Sequence, residues 1–422
     1  MTDRTQVPTA AASGRFRPYP SYKVSDLGRL RKIPTHWQAM NLKIICQLAY
    51  GYSLQSDERL EGDVGVFGSN GAVGFHNKAN TLGPCLVIGR KGSFGKVNYS
   101  IKPVFAIDTT FFIDERFTNT DLRWLYYALT WLQLDATSKD SAIPGLDRQD
   151  AYACNLPVCP PEEQRRIACF LDFETARIDA LIEKKERLIE LLQEKRTALI
   201  TQAVTKGLDP TVAMKDSGVE WLAQIPAHWN IEINKRLFKE SDTRSDLGDE
   251  ELLTVSHISG VTRHSEKNVT MIEAESYENY KICREGELAI NTMWAWMGAL
   301  GIAKEDGMVS PSYNVYLAKN RSLHPRYYDY LSRVPLHVAE LTKHSKGIWK
   351  SRLRLYPDGF FEIYTPLPPV GEQECITDQL DSSVCKIAAL LMTIRKALEN
   401  LKEYRMALIS AAVTGKIDVR AR

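Results

Sequence analysis

The chain has 422 residues, 44% of them hydrophobic, which is a length for about two to four domains with ordinary globular cores. The formal net charge is only +2, which argues mildly against nucleic-acid binding unless the positive groups are segregated onto one face. No segment has the roughly 18 uncharged apolar residues that a membrane helix needs. Residues 1–21 lack the apolar core of a signal peptide, and we predict that they form a flexible tail.

Eight cysteines are scattered along the chain. The closest pair, Cys154 and Cys159, fits no zinc or redox motif. Cys46, Cys169 and Cys385 have apolar neighbours and are predicted to be buried thiols. This cysteine usage favours a reducing compartment and predicts a cytoplasmic protein.

Two segments of the chain return later in the same order. Residues 33–37 (Ile-Pro-Thr-His-Trp) return 192 positions later at 225–229 (Ile-Pro-Ala-His-Trp), and residues 160–205 resemble 369–414, 209 positions later, without a gap. The order of the two matches predicts an internal duplication, arranged as globular block, helix, globular block, helix. We expect the repeated histidines, His36 and His228, to be structural and to dock each block onto its helix.

The first globular block, residues 22–155, has short β-like runs between glycine turns, which is typical of an α+β domain. Strands are predicted around residues 64–71, 86–90, 104–107 and 110–113, and a helix at 122–134.

A basic glycine-rich turn, residues 89–96, is the sharpest feature of this block. Its glycines let the backbone approach a phosphate, while Arg90, Lys91 and Lys96 supply charge. It is not a nucleotide-binding P-loop, because five residues separate Gly89 from Gly95 and a valine follows Lys96. A hairpin whose charges are simply solvated is the alternative. The candidate DNA-contacting residues of this block are Ser69, Asn70, Arg90, Lys91, Ser93 and Lys96.

A long helix is predicted after Pro160 and Pro161, within a spacer segment at 156–213. Acidic residues suit its start, and glycine and proline end it near residues 207–210, at about 65 Å for 1.5 Å per residue. The matching segment, 367–422, predicts a second helix of similar length.

Apolar residues follow a heptad pattern in both helices. One seam position is filled by Leu171, Ile178, Lys185, Leu192 and Leu199, and in the second copy by Leu380, Ile387, Ile394, Leu401 and Leu408. The other seam position is assigned to Leu181 and Leu188, and in the second copy to Leu390, Ala397, Tyr404 and Ala411. The pattern predicts an antiparallel coiled coil that spaces the two globular blocks. The alternative is that each helix packs only on its own domain.

The second globular block, residues 214–366, has a parallel layout. A strand is predicted at 252–258, and residues 287–294 correspond in position to 86–90. A dense basic stretch with an aromatic residue follows at 343–352, where lysine can contact phosphates and arginine can contact bases. A surface loop with incidental charge is the alternative. The candidate DNA-contacting residues of this block are His257, Asn291, Thr292, Lys346, Lys350 and Arg352.

Motifs for catalysis are missing from the sequence. There is no Asn/Asp-Pro-Pro-aromatic loop of an amino-methyltransferase, no HExxH, no Gly-x-Ser-x-Gly and no CxxC. The nearest approach to a metal nuclease is Asp358 with Glu362, but Tyr364 stands where lysine is needed. We therefore predict a protein that is not itself an enzyme.

The motifs resemble those of the specificity subunits of type I restriction–modification systems. The resemblance covers nearly the whole chain and depends on the two Ile-Pro-x-His-Trp signatures, the similar entries and exits of the two helices, and the turn at 88–93. Gly371, where the first copy has Glu162, departs from the repeat.

This resemblance implies two target-recognition domains, each reading half of a bipartite site on double-stranded DNA. It also implies partners: modification subunits, two in number, that methylate adenine, and restriction subunits. No cofactor is implied for this chain. A coiled-coil scaffold that binds proteins but not DNA is the alternative, and a nuclease is a weaker one.

Overall fold

The computed structural model describes residues 16–28, 30–137, 145–266, 276–349 and 352–420. The chain divides into two compact units: unit 1 comprises Met1–Lys185 with Arg395–Arg422, and unit 2 comprises Glu186–Ile394. Each unit therefore combines one globular block with a part of both long helices.

Unit 1 is built on a four-stranded antiparallel sheet in the order β4-β10-β7-β8, with a three-stranded sheet, β6-β5-β9, and two strand pairs, β1-β2 and β3-β11. Helix α2 packs on the four-stranded sheet. The elements are β1 Tyr22–Leu27, β2 Leu30–Pro34, β3 Gln38–Asn41, α1 Leu42–Ile45, β4 Ala49–Tyr50, β5 Val64–Gly68, β6 Gly71–His76, β7 Cys85–Gly89, β8 Val97–Ser100, β9 Phe105–Ala106, β10 Thr110–Ile113, α2 Leu122–Leu132, α3 Arg148–Ala153, β11 Asn155–Val158 and the start of α4 Pro161–Lys206.

Unit 2 has a four-stranded sheet in the order β15-β22-β19-β20 and the strand pairs β12-β13, β14-β23, β16-β17 and β18-β21. Its elements are β12 Met214–Asp216, β13 Gln224–Pro226, β14 Asn230–Ile233, α5 Asn234–Leu237, β15 Phe238–Ser241, β16 Leu253–Ser256, β17 Gly260–Arg263, β18 Lys281–Cys283, β19 Leu288–Ile290, β20 Leu300–Ile302, β21 Gly307–Val309, β22 Asn314–Ala318, α6 Pro325–Ser332, α7 Pro335–Lys343, α8 Pro357–Phe361, β23 Tyr364–Leu367 and the start of α9 Val370–Val413.

The predicted elements of the α+β blocks lie close to the observed ones. The strand predicted at 110–113 has those bounds, the helix predicted at 122–134 ends two residues earlier, and the long helix spans Pro161–Lys206. The segment 287–294 was expected to correspond to 86–90. Their strands, β19 and β7, hold the same third place in the two four-stranded sheets.

The tail predicted to be flexible packs into unit 1 from residue 16 onward. The ring of Phe16 meets Phe170 edge-on at 5.4 Å, and Tyr19 is buried with its hydroxyl bonded to Glu163. The amide of Asp418 donates to the carbonyl of Arg17 at 2.7 Å. The prediction was wrong for residues 16–21 because two aromatic side chains there complete a core, and residues 1–15 lie outside the described part of the chain.

Both long helices contribute to both cores. In unit 1, Leu171 and Ile178 of α4 share a buried cluster with Leu408 and Ile409 of α9. In unit 2, the end of α4 meets the start of α9, and the clustered residues are Ala203, Val204, Ile376 and Leu380.

The first predicted seam position is largely apolar and inward-facing. In the second position Ala397, Tyr404 and Ala411 are half-buried, whereas Leu181, Leu188 and Leu390 are each one residue away from the inner face. The side chains of Leu171, Ile178, Leu380, Ile387, Ile394 and Leu408 are buried, whereas Leu192 and Leu401 are half-buried. Leu181, Leu188 and Leu390 are exposed, and the half-buried residues are their neighbours Ile182, Ile189 and Leu391. The inner face advances by four residues rather than three at these points, and Leu199 is exposed because Ile200 faces the core instead.

Cys46 is buried as predicted, but Cys169 and Cys385 are exposed on the outer faces of α4 and α9. Among the described residues, no helix is long and apolar enough to cross a membrane.

Candidate nucleic-acid interface

In unit 1 the predicted DNA-contacting residues lie together at one edge of the four-stranded sheet. The 89–96 loop joins β7 to β8, and the turn of Ser69 and Asn70 joins β5 to β6 beside it. Gly95 has a φ of +77°, and a Cβ there would lie 2.2 Å from the amide nitrogen of Asp135. This position therefore requires glycine, and the loop is held tightly against the chain behind it.

The carbonyl of Thr109 organises this edge. It accepts from the amides of Arg90 and Lys91 at 2.8 and 3.2 Å and from the hydroxyl of Ser69 at 2.6 Å. Ser69 is buried, so its side chain fixes the loop and does not face solvent. The hydroxyl of Ser69 is therefore occupied inside the protein, which does not favour the predicted contact with DNA.

Arg90, one of the three cations of the loop, stacks on an aromatic ring. The half-buried guanidinium of Arg90 lies 5.1 Å from the ring centre of Tyr50, over whose ring Arg148 also lies at 4.8 Å. A cation stacked on an aromatic face is held in one orientation, which suits bidentate contacts to phosphates or bases.

The remaining candidate residues at this edge are exposed. Lys91 and Ser93 reach solvent directly, and Lys96 bonds through Nζ to the carbonyl and the side-chain oxygen of Asn70 at 2.8 and 3.0 Å. The five exposed or half-buried candidates, Asn70, Arg90, Lys91, Ser93 and Lys96, thus form one basic surface.

The corresponding edge of unit 2 is formed after β19. Asn291 donates through Nδ2 to the hydroxyl of Tyr313 at 3.0 Å, and Thr292 donates to the carbonyl of Ser312 at 2.9 Å, in the loop that precedes β22. Both side chains are buried. Their polar atoms hold this loop to its neighbour, as Ser69 does in unit 1, which does not favour the predicted contacts with DNA.

The basic stretch of unit 2 forms a hairpin beside that loop. The backbones of Lys346 and Arg354 exchange two hydrogen bonds of 2.9 Å, and the amide of Leu355 donates to the carbonyl of Thr292 at 3.1 Å. Lys346 and Arg352 are exposed, as is His257 in the β16–β17 turn. Lys350 lies outside the described residues.

A second set of polar contacts fixes each globular block to the helix that follows it. In unit 1 Glu163, in the first turn of α4, accepts from Trp37 Nε1 at 3.1 Å and pairs with His36 Nε2 at 2.9 Å. In unit 2 Glu372 makes the same contacts with Trp229 and His228, at 3.0 and 2.7 Å. The two histidines therefore dock each block on its helix, as predicted.

Further contacts of this frame were missed in the sequence. Asp172 of α4 binds Arg123 Nε and the hydroxyl of Tyr127, each at 2.6 Å. In unit 2 Asp381 of α9 binds Arg326 and Tyr330, also at 2.6 Å. The available signal was an Arg-x-x-x-Tyr pair that returns 203 positions later, together with aspartates separated by the helix shift of 209.

The chain is thus a protein of two α+β domains, each fixed to a long helix and each presenting loops at one sheet edge. Residues 34–191 match the family model of the type I restriction modification DNA specificity domain. The chain is 23% identical over 316 residues to the type I restriction enzyme MjaVIII specificity subunit of Methanocaldococcus jannaschii, covering 70% of each chain. It is 21% identical over 364 residues to the type I restriction enzyme EcoBI specificity subunit of Escherichia coli, covering 80% of this chain and 74% of that one.

Solved structures share the fold. A chain from a type I R-M system aligns with a TM-score of 0.65 at 13% identity, covering 92% of this chain and 100% of that chain. The HsdS subunit from Thermoanaerobacter tengcongensis aligns with a TM-score of 0.50 at 14% identity, covering 93% of this chain and 100% of that one. The family model and the relatives indicate a specificity subunit of a type I restriction–modification system.

Proposed function

We propose that the chain reads a bipartite, asymmetric site on double-stranded DNA, with one half-site for each unit. One observation carries this proposal. In each unit a loop follows the strand that is third in sheet order, β7 in unit 1 and β19 in unit 2. Each of these loops is bonded to the loop that precedes the neighbouring strand, β10 or β22. The side chains that these loops present differ between the units. Unlike side chains recognise unlike base edges, so the two half-sites should differ in sequence.

The two long helices are proposed to pair as an antiparallel coiled coil that arose with the two units by duplication. In support, the start of α4 shares a core with the end of α9 in unit 1, and the end of α4 shares one with the start of α9 in unit 2. Arg405 of α9 also pairs with Asp179 of α4 at 2.8 Å. Such a pair would set the distance between the half-sites.

The partners we propose are two methyltransferase subunits and, in the full complex, restriction subunits, in the cytoplasm. The chain itself is proposed to be non-catalytic and to need no cofactor. Incubating the lone chain with duplex DNA and Mg²⁺ tests this, because cleavage products would contradict it.

Genome-wide mapping of adenine methylation in a host that carries the complex is the decisive experiment. The expected result is one motif with two unlike halves at a fixed spacing. A scaffold that binds only proteins would give no motif of its own, and its complex would bind duplexes without the steep salt dependence of phosphate contacts.

A further inference from the structure

The interface edge of unit 2 presents large apolar side chains to solvent. Trp349 is 70% exposed and Ile348 95% exposed in the hairpin that Lys346 and Arg354 close, and Trp294, in the loop after β19, is 48% exposed. Large apolar side chains that gather on neighbouring loops mark a binding surface, because each would be stabilised by leaving water.

The loop after β19 is ordered by its own contacts. The ring of Trp294 stacks on Trp296 with an angle of 18° between the planes, and Trp296 Nε1 donates to the carbonyl of Met293 at 3.0 Å. Thr342 of α7 donates to the carbonyl of Trp296 at 3.2 Å. An indole held in this way loses little conformational freedom when it binds.

Backbone contacts also fix the described residues of the hairpin. The amide of Arg352 donates to the carbonyl of Trp349 at 2.8 Å. Gly347 has a φ of +158°, and a Cβ there would lie 2.7 Å from the carbonyl oxygen of Arg352, so this position requires glycine. The bond from Leu355 to Thr292 places this hairpin beside the loop that carries Trp294.

The charge around the indole selects its ligand. Lys346, Arg352 and Arg354 are all exposed on the same hairpin as Trp349. Such a surface suits duplex DNA. The cations can contact its phosphates, and the apolar side chains can contact the flat faces of its bases. Apolar side chains inserted between base pairs unstack one step and kink the duplex.

The 89–96 loop of unit 1, which corresponds to the loop that carries Trp294, presents no exposed aromatic side chain. The single aromatic residue of the 89–96 loop is Phe94, which is half-buried in the core behind it. The exposed groups of that loop are polar or cationic. The described apolar surface therefore belongs to unit 2, and we expect the distortion of DNA in the half-site that this unit reads.

We propose that Trp349, supported by Trp294, inserts as an apolar wedge into the half-site that unit 2 reads. This inference rests on the proposed function and adds the means by which one half-site is recognised. The cost of unstacking depends on the base step, so the wedge selects flexible steps without touching their base edges.

The experiment uses the full chain with its methyltransferase subunits and duplexes that carry the mapped site. 2-Aminopurine replaces one base at a time across both halves, and its fluorescence rises where stacking is lost. We expect the 2-aminopurine fluorescence to rise at one base step only. That step should lie in the half-site of unit 2, which hydroxyl-radical footprinting identifies as the half that loses protection in Arg352→Ala. Trp349→Ala should abolish the rise and weaken binding about tenfold, while Trp349→Phe should keep most of both.

Leu317→Ala is the matched control, because it removes an exposed apolar side chain from strand β22 of the same unit and should change neither reading. Specific binding without any fluorescence rise, or a rise that survives Trp349→Ala, would overturn the wedge and leave the proposed function standing. Loss of the methyltransferase subunits from Trp349→Ala, with DNA binding by the remaining chain unchanged, would assign the surface to a protein instead. Failure of the unaltered complex to bind any duplex specifically would overturn the proposed function itself.

Discussion

Trp229 donates its indole N–H to Glu372 at 3.0 Å and so ties the block that precedes α9 to the first turn of that helix. The same carboxylate pairs with His228 at 2.7 Å, so one side chain holds two neighbouring rings. Trp37 and Glu163 repeat the bond at 3.1 Å in unit 1.

Replacing Glu372 by alanine should destabilise unit 2 by about 2 kcal/mol, because the N–H of the buried Trp229 loses a charged acceptor. Hydrogen–deuterium exchange, followed by mass spectrometry on peptides of unit 2, would show faster exchange. Glu374→Ala is the control, since this exposed carboxylate lies two residues further along the same helix. Equal effects of the two substitutions would contradict a specific role for Glu372.

Arg90→Ala and Arg352→Ala should each weaken DNA binding through one half-site only. Loss of one phosphate contact should also reduce the slope of log affinity against log salt by about 1. Footprinting of both halves at several salt concentrations measures both effects. Lys102→Ala is the control, because this exposed lysine follows β8 at the end opposite to the 89–96 loop. Unchanged affinity in the arginine variants would return these loops to the interpretation of solvated turns.

A fragment that ends near Pro210 should pair with itself. Gly207, at the end of α4, packs against Pro226 and Trp229, as Gly415, at the end of α9, packs against Pro34 and Trp37. The end of α4 in one copy could therefore replace the end of α9 in the other.

With methyltransferase subunits, this paired fragment should direct methylation to a symmetric site made of two copies of one half-site. Methylation mapping decides the matter. Recovery of the original asymmetric site, or of no specific site, would show that a second copy of the fragment cannot take the place of unit 2.

Lowering the pH should reduce the stability of unit 2, because His337 binds a proton more readily when the unit is unfolded. This side chain is fully buried on α7, with its ring 5.5 Å from that of Trp221, and burial lowers its pKa from 6.5 to about 4. The unfolded chain binds a proton near pH 6.5 and the folded chain does not until about pH 4. Stability therefore falls as the pH drops through this window, by about 1.4 kcal/mol per pH unit.

His337→Phe should remove that slope while keeping an aromatic ring at the position. It also leaves the carbonyl of Ser332 without its donor, which adds a loss at every pH. Urea unfolding between pH 4 and pH 7 measures the difference. A slope unchanged by the substitution would mean that other groups cause the acid sensitivity.

The bounds of α4 were predictable because they are local. Proline and glutamate at its start and glycine just after its end act within one turn of the helix. The second seam position was not predictable in the same way. Leu181 and Ile182 are both apolar, as are Leu390 and Leu391, so the sequence allowed two choices that only the packing partner could separate.

The loops of the interface were also visible in the sequence, since glycines and cations cluster between predicted strands. Which polar side chains face inward was not. Ser69 and Thr292 are buried because carbonyls 40 and 20 residues away come within hydrogen-bonding distance after folding. Arg123 and Arg326 were missed for the same reason, because their aspartate partners lie about 50 residues further along the chain.

Unit 1 is made of two separate chain segments, and this affects the order in which the units can fold during synthesis. Unit 2 is one continuous segment, whereas unit 1 needs residues 395–422 to complete its core. A ribosome makes the chain from its N-terminus, so the first block must wait for residues that are synthesised after the whole of unit 2. Unit 2 can close as soon as residue 394 has emerged. A premature stop in the last turns of α9 would therefore damage the domain at the beginning of the chain.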